Sequence, residues 1–306
     1  MPLQTPSQIT VSKPNRDTVK GLTRNETSPP TIVSISDIHG YLDPAQSALL
    51  TLADHPAFDP VVTLDTEGNL HWAGENYVLV FNGDLIDRGP ANREVLELVG
   101  RLIREAPPGR IRVTLGNHEA IMLSPTHFGF NNWYSGQVDT ADRRVFLEQI
   151  LAGHVVTAYR GYNVTYVHAG SPDDYNVAAV NDSLCEAARK LRDAISTPDD
   201  RLLQKRILDE HSRELGVGNS HLKGPGAGLV WLDLSHLPRD APAQVVGHTR
   251  QHEPLQKGNV FCQNVIRNTL DSDGGETVFV ETPDSLFSLI RQPDGSVELS
   301  ELEQFT

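Results

Sequence analysis

The chain of 306 residues predicts an α/β fold, built as one domain after residue 30. Three observations carry that prediction. Short runs of β-branched and aromatic residues alternate with segments of helical periodicity. Five of the β-like runs end in Asp, Asn or His beside glycine, where open α/β sheets gather their ligand sites. Hydrophobic residues make up 38% and charged residues 22%, enough apolar material for a substantial core and too much for a disordered chain.

Residues 1–30 are polar, rich in Ser, Thr and Pro, and close on Ser28-Pro29-Pro30. They lack the apolar stretch of a secretory signal and read as a flexible segment ahead of a folded domain over 31–306. Residues 31–36 are β-rich and run into Asp37-Ile38-His39-Gly40. Asp43 followed by Pro44 suits the N-cap and first position of a helix lasting to about Ala53. Residues 61–64 and 70–72 flank Asp65-Thr66-Glu67-Gly68-Asn69 and predict a hairpin. Residues 77–81 form an apolar strand that stops at Asn82-Gly83-Asp84. A helical period over 92–104 ends at Pro107-Pro108-Gly109. Further strands over 111–115, 164–167 and 244–246 stop at Gly116-Asn117-His118-Glu119, His168-Ala169-Gly170 and Gly247-His248-Thr249. Polar helices are expected over 181–194 and 199–214, a glycine-rich loop over 216–228, and short strands over 277–280 and 286–289.

With 26 basic and 40 acidic residues the net charge is −14. That balance argues against coating nucleic acid or an anionic membrane surface, both of which need excess Lys and Arg. It leaves room for a local basic pocket. No run of about 18 apolar residues predicts a membrane span. Two cysteines, Cys185 and Cys262, exclude a disulfide framework or Cys-rich zinc site and fit a cytoplasmic protein with inert thiols.

The polar residues at the strand ends are Asp37, His39, Asp84, Asn117, His168 and His248. Carboxylate, carbonyl and imidazole suit divalent ions such as Mn, Fe, Co or Zn. Six donors are too many for one tetrahedral zinc and suit two ions sharing a carboxylate. Two metals about 3.5–4 Å apart can hold a hydroxide between them for in-line attack on phosphorus. Arg88 offers a guanidinium fork that matches phosphate oxygens. His118, beside Asn117, is a candidate acid for the leaving oxygen, and Asp87 can hold its imidazole in the charged form.

In this order, Asp37-Ile38-His39-Gly40, Gly83-Asp84-Leu85-Ile86-Asp87-Arg88-Gly89, Gly116-Asn117-His118-Glu119, His168 and Gly247-His248-Thr249 resemble the calcineurin-like metallophosphoesterases. Within them the set looks most like the phosphoprotein phosphatase branch, the bacterial and phage members above all. The resemblance implies a four-layer α-β-β-α sandwich with two central mixed sheets. It implies two divalent ions (Mn2+, Fe2+/Fe3+ or Zn2+): Asp37 and His39 on the first, Asp84 bridging, and Asn117, His168 and His248 on the second. It implies His118 with Asp87 as the proton donor, Arg88 as the phosphate clamp, and a phosphoprotein or small phosphoester as substrate. The activity implied is that of a Ser/Thr-type phosphomonoesterase. Dinucleoside tetraphosphate or polyphosphate hydrolysis is the alternative on the same fold, and a silent metal-binding interaction protein the alternative of another class.

Three departures bear on that pattern. Ser36 stands where the family has Gly, and Leu115 stands where phosphoprotein phosphatases carry an arginine before Gly-Asn-His-Glu. A further family arginine falls between the last two histidines, where Lys223 and Arg239 are the candidates. Arg250 replaces the second His of the Gly-His-any-His ending of phosphodiesterases, and it is a candidate to reach a substrate phosphate. Trp133 and Tyr134 read as packing residues, with a substrate groove as the alternative.

Overall fold

The run after Pro30 forms β1 (Thr31–Ile35), which pairs in parallel with β4 (Tyr77–Phe81) and antiparallel with β12 (Thr277–Glu281). Such central strands are covered on both faces, which is why β4 reads as continuously apolar and β1 is apolar apart from Thr31 and Ser34. Val33 and Ile35 face one core and Ile32 another; on β4, Leu79 and Phe81 divide from Val78 and Val80 in the same way. These facts come from a computed structural model that describes residues 10–23, 28–219 and 222–305.

Two sheets face each other. The larger has seven strands in the order β14 (Val297–Gln304), β13 (Ser285–Arg291), β12, β1, β4, β5 (Ile111–Thr114) and β6 (Val155–Val156). The other has five: β10 (Leu255–Lys257), β11 (Val260–Cys262), β9 (Gln244–Val246), β8 (Thr165–Val167) and β7 (Ala158–Arg160). The remaining pair, β2 (Val62–Leu64) and β3 (Leu70–Trp72), is the expected hairpin. Both sheets are mixed: β1, β4, β5 and β6 run parallel, as do β8, β9 and β11, with antiparallel strands at the edges. Ile32, Val80, Tyr166, Val245, Phe261 and Phe279 fill the space between the sheets.

Helices cover the outer face of the larger sheet. α2 (Leu42–Asp54) and α3 (Asn92–Glu105) lie here, α3 through Val95, Leu98, Val99 and Leu102 at helical spacing. α2 begins before the expected Asp43 cap, with Tyr41 at its N-cap; Pro44 is tolerated because a first-turn N–H needs no helical partner. α4 (Asn117–Leu123) was not legible in the sequence, because all seven of its residues are buried and no polar face marks a period. α5 (Pro125–Phe128), α6 (Thr140–Leu151) and α7 (Val177–Ala194) complete this side. The helix expected over 199–214 breaks at His211 into α8 (Asp200–Glu210) and α9 (Ser212–Leu215), where buried His211 hydrogen-bonds Ser183 at 2.8 Å. On the outer face of the smaller sheet, Val180 of α7 and the chain from Leu229 to Leu237 form the fourth layer.

The N-terminal lead-in corrects the expectation of flexibility over residues 10–23; residues 1–9 and 24–27 lie outside the described residues. α1 (Lys13–Asp17) packs on α7, and Val11, Arg16, Asp17 and Val19 are buried. Arg16 pairs with Asp17 and Asp182, and the Asn15 carbonyl accepts from buried Arg112 at 2.7 Å. A polar composition conceals this, because the segment is anchored by charged groups that find partners rather than by an apolar stripe.

Glu281 of β12 reaches across to the second sheet. Its carboxylate accepts from the Asn163 and Val164 N–H groups and from the Tyr166 hydroxyl, at 2.7, 3.2 and 3.0 Å. Burial pushes it up to about 7, against those hydrogen bonds. The folded protein therefore holds a proton that the unfolded chain releases near 4.5, so this site's contribution is lost as pH rises through about 7. Comparing wild type with Glu281→Gln in thermal melts, wild type should lose about 1–3 kcal/mol relative to the variant between pH 5 and 8. A difference independent of pH would show that Glu281 does not bind that proton.

Candidate metal centre

Three neighbouring parallel strands of one sheet and two of the other end at the same edge of the sandwich. Past β1 stand Asp37 and His39, past β4 Asp84, Asp87 and Arg88, and past β5 Asn117 and His118. His168 follows β8 and His248 follows β9. The loops are laced together: Asp37 N–H donates to Gly83 O, His39 N–H to Asp84 O, and Gly247 N–H to His168 O, at 3.0, 2.9 and 2.8 Å. Asn82 ties the sheets at this edge by donating to the Val167 and Val245 carbonyls and accepting from Thr114.

Asp84 sits at the middle. Its Oδ2 lies 3.5 Å from His39 Nε2, 3.4 Å from His168 Nε2 and 3.9 Å from His118 Nε2. Asp37 Oδ1 is 3.8 Å from His39 Nε2. Asn117 Oδ1 is 3.2 Å from His168 Nε2 and 2.9 Å from His248 Nδ1. Two overlapping groups, His39–Asp84–His118 and Asp84–His168–His248, place their ligand atoms within 4.8 Å of one another, all of them buried.

The tautomers favour cations here. His39 Nδ1 and His168 Nδ1 each sit 3.0 Å from a backbone carbonyl, of Ile86 and Asn82. A carbonyl only accepts, so both Nδ1 atoms carry hydrogen, and a neutral ring then turns its Nε2 lone pair on the Asp84 carboxylate. That is repulsive unless a cation or a proton lies between. Burial drives His39 down to about 3 and His248 well below its ordinary value, which keeps both rings neutral. Burial also opposes protonation of His168, but Asp84 overrides it and raises that ring to about 9. Burial lifts Asp37 to about 7, with His168 opposing and Asp84 adding to the rise. His248 Nε2 is buried with no hydrogen-bond partner. Lone pairs and carboxylates crowded together out of water fit a site for divalent cations.

Strain is concentrated at the same place. Among the described residues, eight that are not glycine have positive φ, and six of them are Asp37, His39, Asp84, Asp87, Arg88 and His248. Each costs about 1–2 kcal/mol that the lacing must offset. Gly247 is required because a Cβ there would collide with Asp37 Oδ2.

His118 and its neighbours form a second unit. His118 Nδ1–H donates to Asp87 Oδ2 at 2.5 Å, and Asp87 also accepts from the Ser135 N–H and hydroxyl. Burial works against ionisation of Asp87, and the hydrogen bonds from His118 and Ser135 more than reverse it, holding the carboxyl below its usual range. Trp133 stacks on the His118 ring with centroids 4.8 Å apart, and the Arg88 guanidinium lies 4.1 Å from the Trp133 ring centroid. Trp133, read from sequence as packing, thus contacts both groups.

Of the cations singled out in the sequence, Arg88 is at this edge, and Arg250 follows His248 by two residues. Lys223 contributes to the field at His248. Arg239 does not belong here: its carbonyl accepts from Asn259 N–H, at the start of β9 and β11 and so at the opposite end of the sheet. Sequence reasoning missed Asn264, which donates to Asp37 Oδ1 at 2.6 Å, and Ser135; neither carries a motif. It also assigned no role to Glu119, whose buried carboxylate accepts from the Asp84, Leu85 and Gly116 N–H groups. Its place in Gly116-Asn117-His118-Glu119 was the available signal.

Asp84→Asn should lower bound manganese, measured by elemental analysis after loading and desalting, to a small fraction of the wild-type content. The variant should keep its circular dichroism spectrum. Unchanged metal content would remove Asp84 from the centre.

A family model described as calcineurin-like phosphoesterase matches residues 30–275. Two curated relatives are symmetrical bis(5'-nucleosyl)-tetraphosphatases. The one from Baumannia cicadellinicola subsp. Homalodisca coagulata is 36% identical over 90 residues, 29% of this chain and 23% of that protein. The one from Ectopseudomonas mendocina (strain ymp) is 28% identical over 172 residues, 55% of this chain and 54% of that protein. The matches therefore span about a quarter and about half of those relatives. Among solved structures, a cold-active protein-tyrosine phosphatase of a psychrophile Shewanella sp. superposes with a TM-score of 0.56 at 18% identity, covering 90% of this chain and 80% of that one, a likeness of fold. With its two mixed sheets, its metal-competent edge and a family match over most of its length, the chain belongs to the calcineurin-like phosphoesterases.

Proposed function

We propose that the protein is a two-metal phosphomonoesterase of the Ser/Thr protein phosphatase type. The observation that carries this reading is the His118–Asp87 pair, stacked on Trp133 and turned toward Asp84. It is a proton donor fixed by a carboxylate, beside a place for cations.

Asp37 and His39 would hold one ion, Asn117, His168 and His248 the other, with Asp84 shared. Mn2+, Fe2+/Fe3+ or Zn2+ suit these donors. When bound, the pair would activate water and neutralise charge on the phosphoryl oxygens. Arg88 binds the phosphoryl group through its guanidinium fork, and Trp133 restricts that side chain. His118 gives the proton on Nε2 to the leaving oxygen. Asp87 keeps Nδ1 protonated and Ser135 fixes Asp87, so the ring is oriented before substrate arrives. Glu119 holds the Asp84 backbone rather than the substrate. The free thiols Cys185 and Cys262 support work in a reducing cytoplasm.

A second reading, hydrolysis of a dinucleoside tetraphosphate or polyphosphate, draws support from the names of the two curated relatives. After EDTA treatment and restoration with Mn2+, Zn2+ or Mg2+, a phosphopeptide, a dinucleoside tetraphosphate and a polyphosphate should be compared by kcat/KM. The phosphopeptide is expected to lead; a tetraphosphate preferred by more than about tenfold would replace the first reading with the second. His118→Asn should lower kcat by about 10²–10⁴-fold while metal content stays at the wild-type level. Metal loss in that variant would instead make His118 a ligand.

A further inference from the structure

We propose that Arg267, with Arg250, completes an anion clamp with Arg88 around the phosphoryl group; this rests on the phosphatase reading above. The position of the family's missing arginine cannot supply the contact. Leu115 is wholly buried, its side chain lies in the helical core, and its N–H is committed to Val156 O at 2.7 Å. The charge must come from elsewhere.

Arg267 lies on a single 3-10 turn, Ile266–Asn268, that follows β11. That turn is fixed to the metal edge at both ends. Asn264 donates to Asp37 Oδ1, the Gln251 N–H donates to Asn264 O at 2.8 Å, and Asn268 Nδ2 donates to Gln251 O at 2.8 Å. The two rungs on Gln251 hold the Arg267 turn against the segment that carries Arg250. On the other side, Gly89 N–H donates to His39 O at 2.7 Å, which places Arg88 next to the same loop. Arg88 thus precedes a residue bonded to the His39 carbonyl, Arg250 lies two residues from His248, and Arg267 lies three residues from Asn264, whose side chain bonds Asp37.

Their electrostatics agree with this placement. Burial and then the charges of Arg250 and Arg88 pull the Arg267 guanidinium below its ordinary range, with Tyr41 and Asp37 opposing. Among the described residues, no hydrogen bond or ion pair neutralises Arg88, Arg250 or Arg267; Arg88 has only the face of Trp133. The protein carries 40 acidic side chains against 26 basic ones, so unpaired guanidiniums gathered at one place have not lacked carboxylates to pair with. Like charges held together stabilise an incoming anion, and a phosphoryl group with three equatorial oxygens can accept from several forks at once.

The test is phosphate binding rather than turnover. Isothermal titration of inorganic phosphate into the manganese-loaded protein should give a Kd about 10–100-fold weaker for Arg267→Met than for wild type, with bound manganese unchanged. Arg267→Lys keeps the charge without the fork and should fall between the two. Equal thermal melts of the three proteins would exclude misfolding as the cause. A phosphate Kd for Arg267→Met within about twofold of wild type would overturn the proposal. So would a defect confined to a dinucleoside tetraphosphate, which would move Arg267 to a neighbouring phosphate. Failure of the underlying reading looks different: wild type itself would take up no metal, and the clamp would fall with it.

Discussion

The architecture at the centre depends on keeping one carboxylate, Asp84, ionised out of contact with water. Desolvation opposes this, and His168, with His118, outweighs it, holding Asp84 well below its ordinary value. The arrangement needs Asp84 in a left-handed backbone conformation, and three N–H groups around it are tied to Glu119. The His118 N–H in turn donates to Asp84 Oδ1 at 3.0 Å. Each bond removes a degree of freedom from a group whose charge would otherwise draw it back to solvent.

The sandwich exists to hold that edge. Strands β1, β4 and β5 are neighbours in one sheet and β8 and β9 in the other, so five loops emerge side by side. Asn82, Glu281 and the Ser34–Gln263 hydrogen bond fix the sheets to each other. A slip between the sheets would separate His168 and His248 from Asp84. The strain at six candidate residues is then understandable: local cost is borne where the surrounding pairing is strong enough to enforce it.

The halves of the centre have different chemistry. The metal side is carboxylate, amide and imidazole, enclosed and nearly dry. The outer side is guanidinium and aromatic, with Arg88 and Arg250 exposed to solvent and Trp133 half-buried between solvent and the His118 ring. Positive charge thus stands outside and the metal-competent groups behind it, in a protein whose overall charge is −14. A local field of opposite sign on an acidic surface favours selective capture of small or locally anionic groups over general attraction of polyanions.

The sequence by itself determined which polar side chains stand at the strand ends. Strand ends carrying Asp, Asn and His beside glycine had one economical explanation, and Asp37, His39, Asp84, Asn117, His168 and His248 do converge at one edge. Their legibility came from short motifs in which ligand and turn residue are adjacent along the chain. What the motifs lacked, only the tertiary structure supplied. Asn264, Ser135 and Trp133 meet partners up to 227 residues away in no pattern that local spacing can express, and α4 hides its period because every face is buried. The lead-in over residues 10–23 looked unstructured because polarity along the chain says nothing about which charges will meet; Arg16 finds Asp182 only when α1 and α7 are already side by side. Local pattern fixes which atoms can do the chemistry, while long-range packing decides which of them share a dielectric.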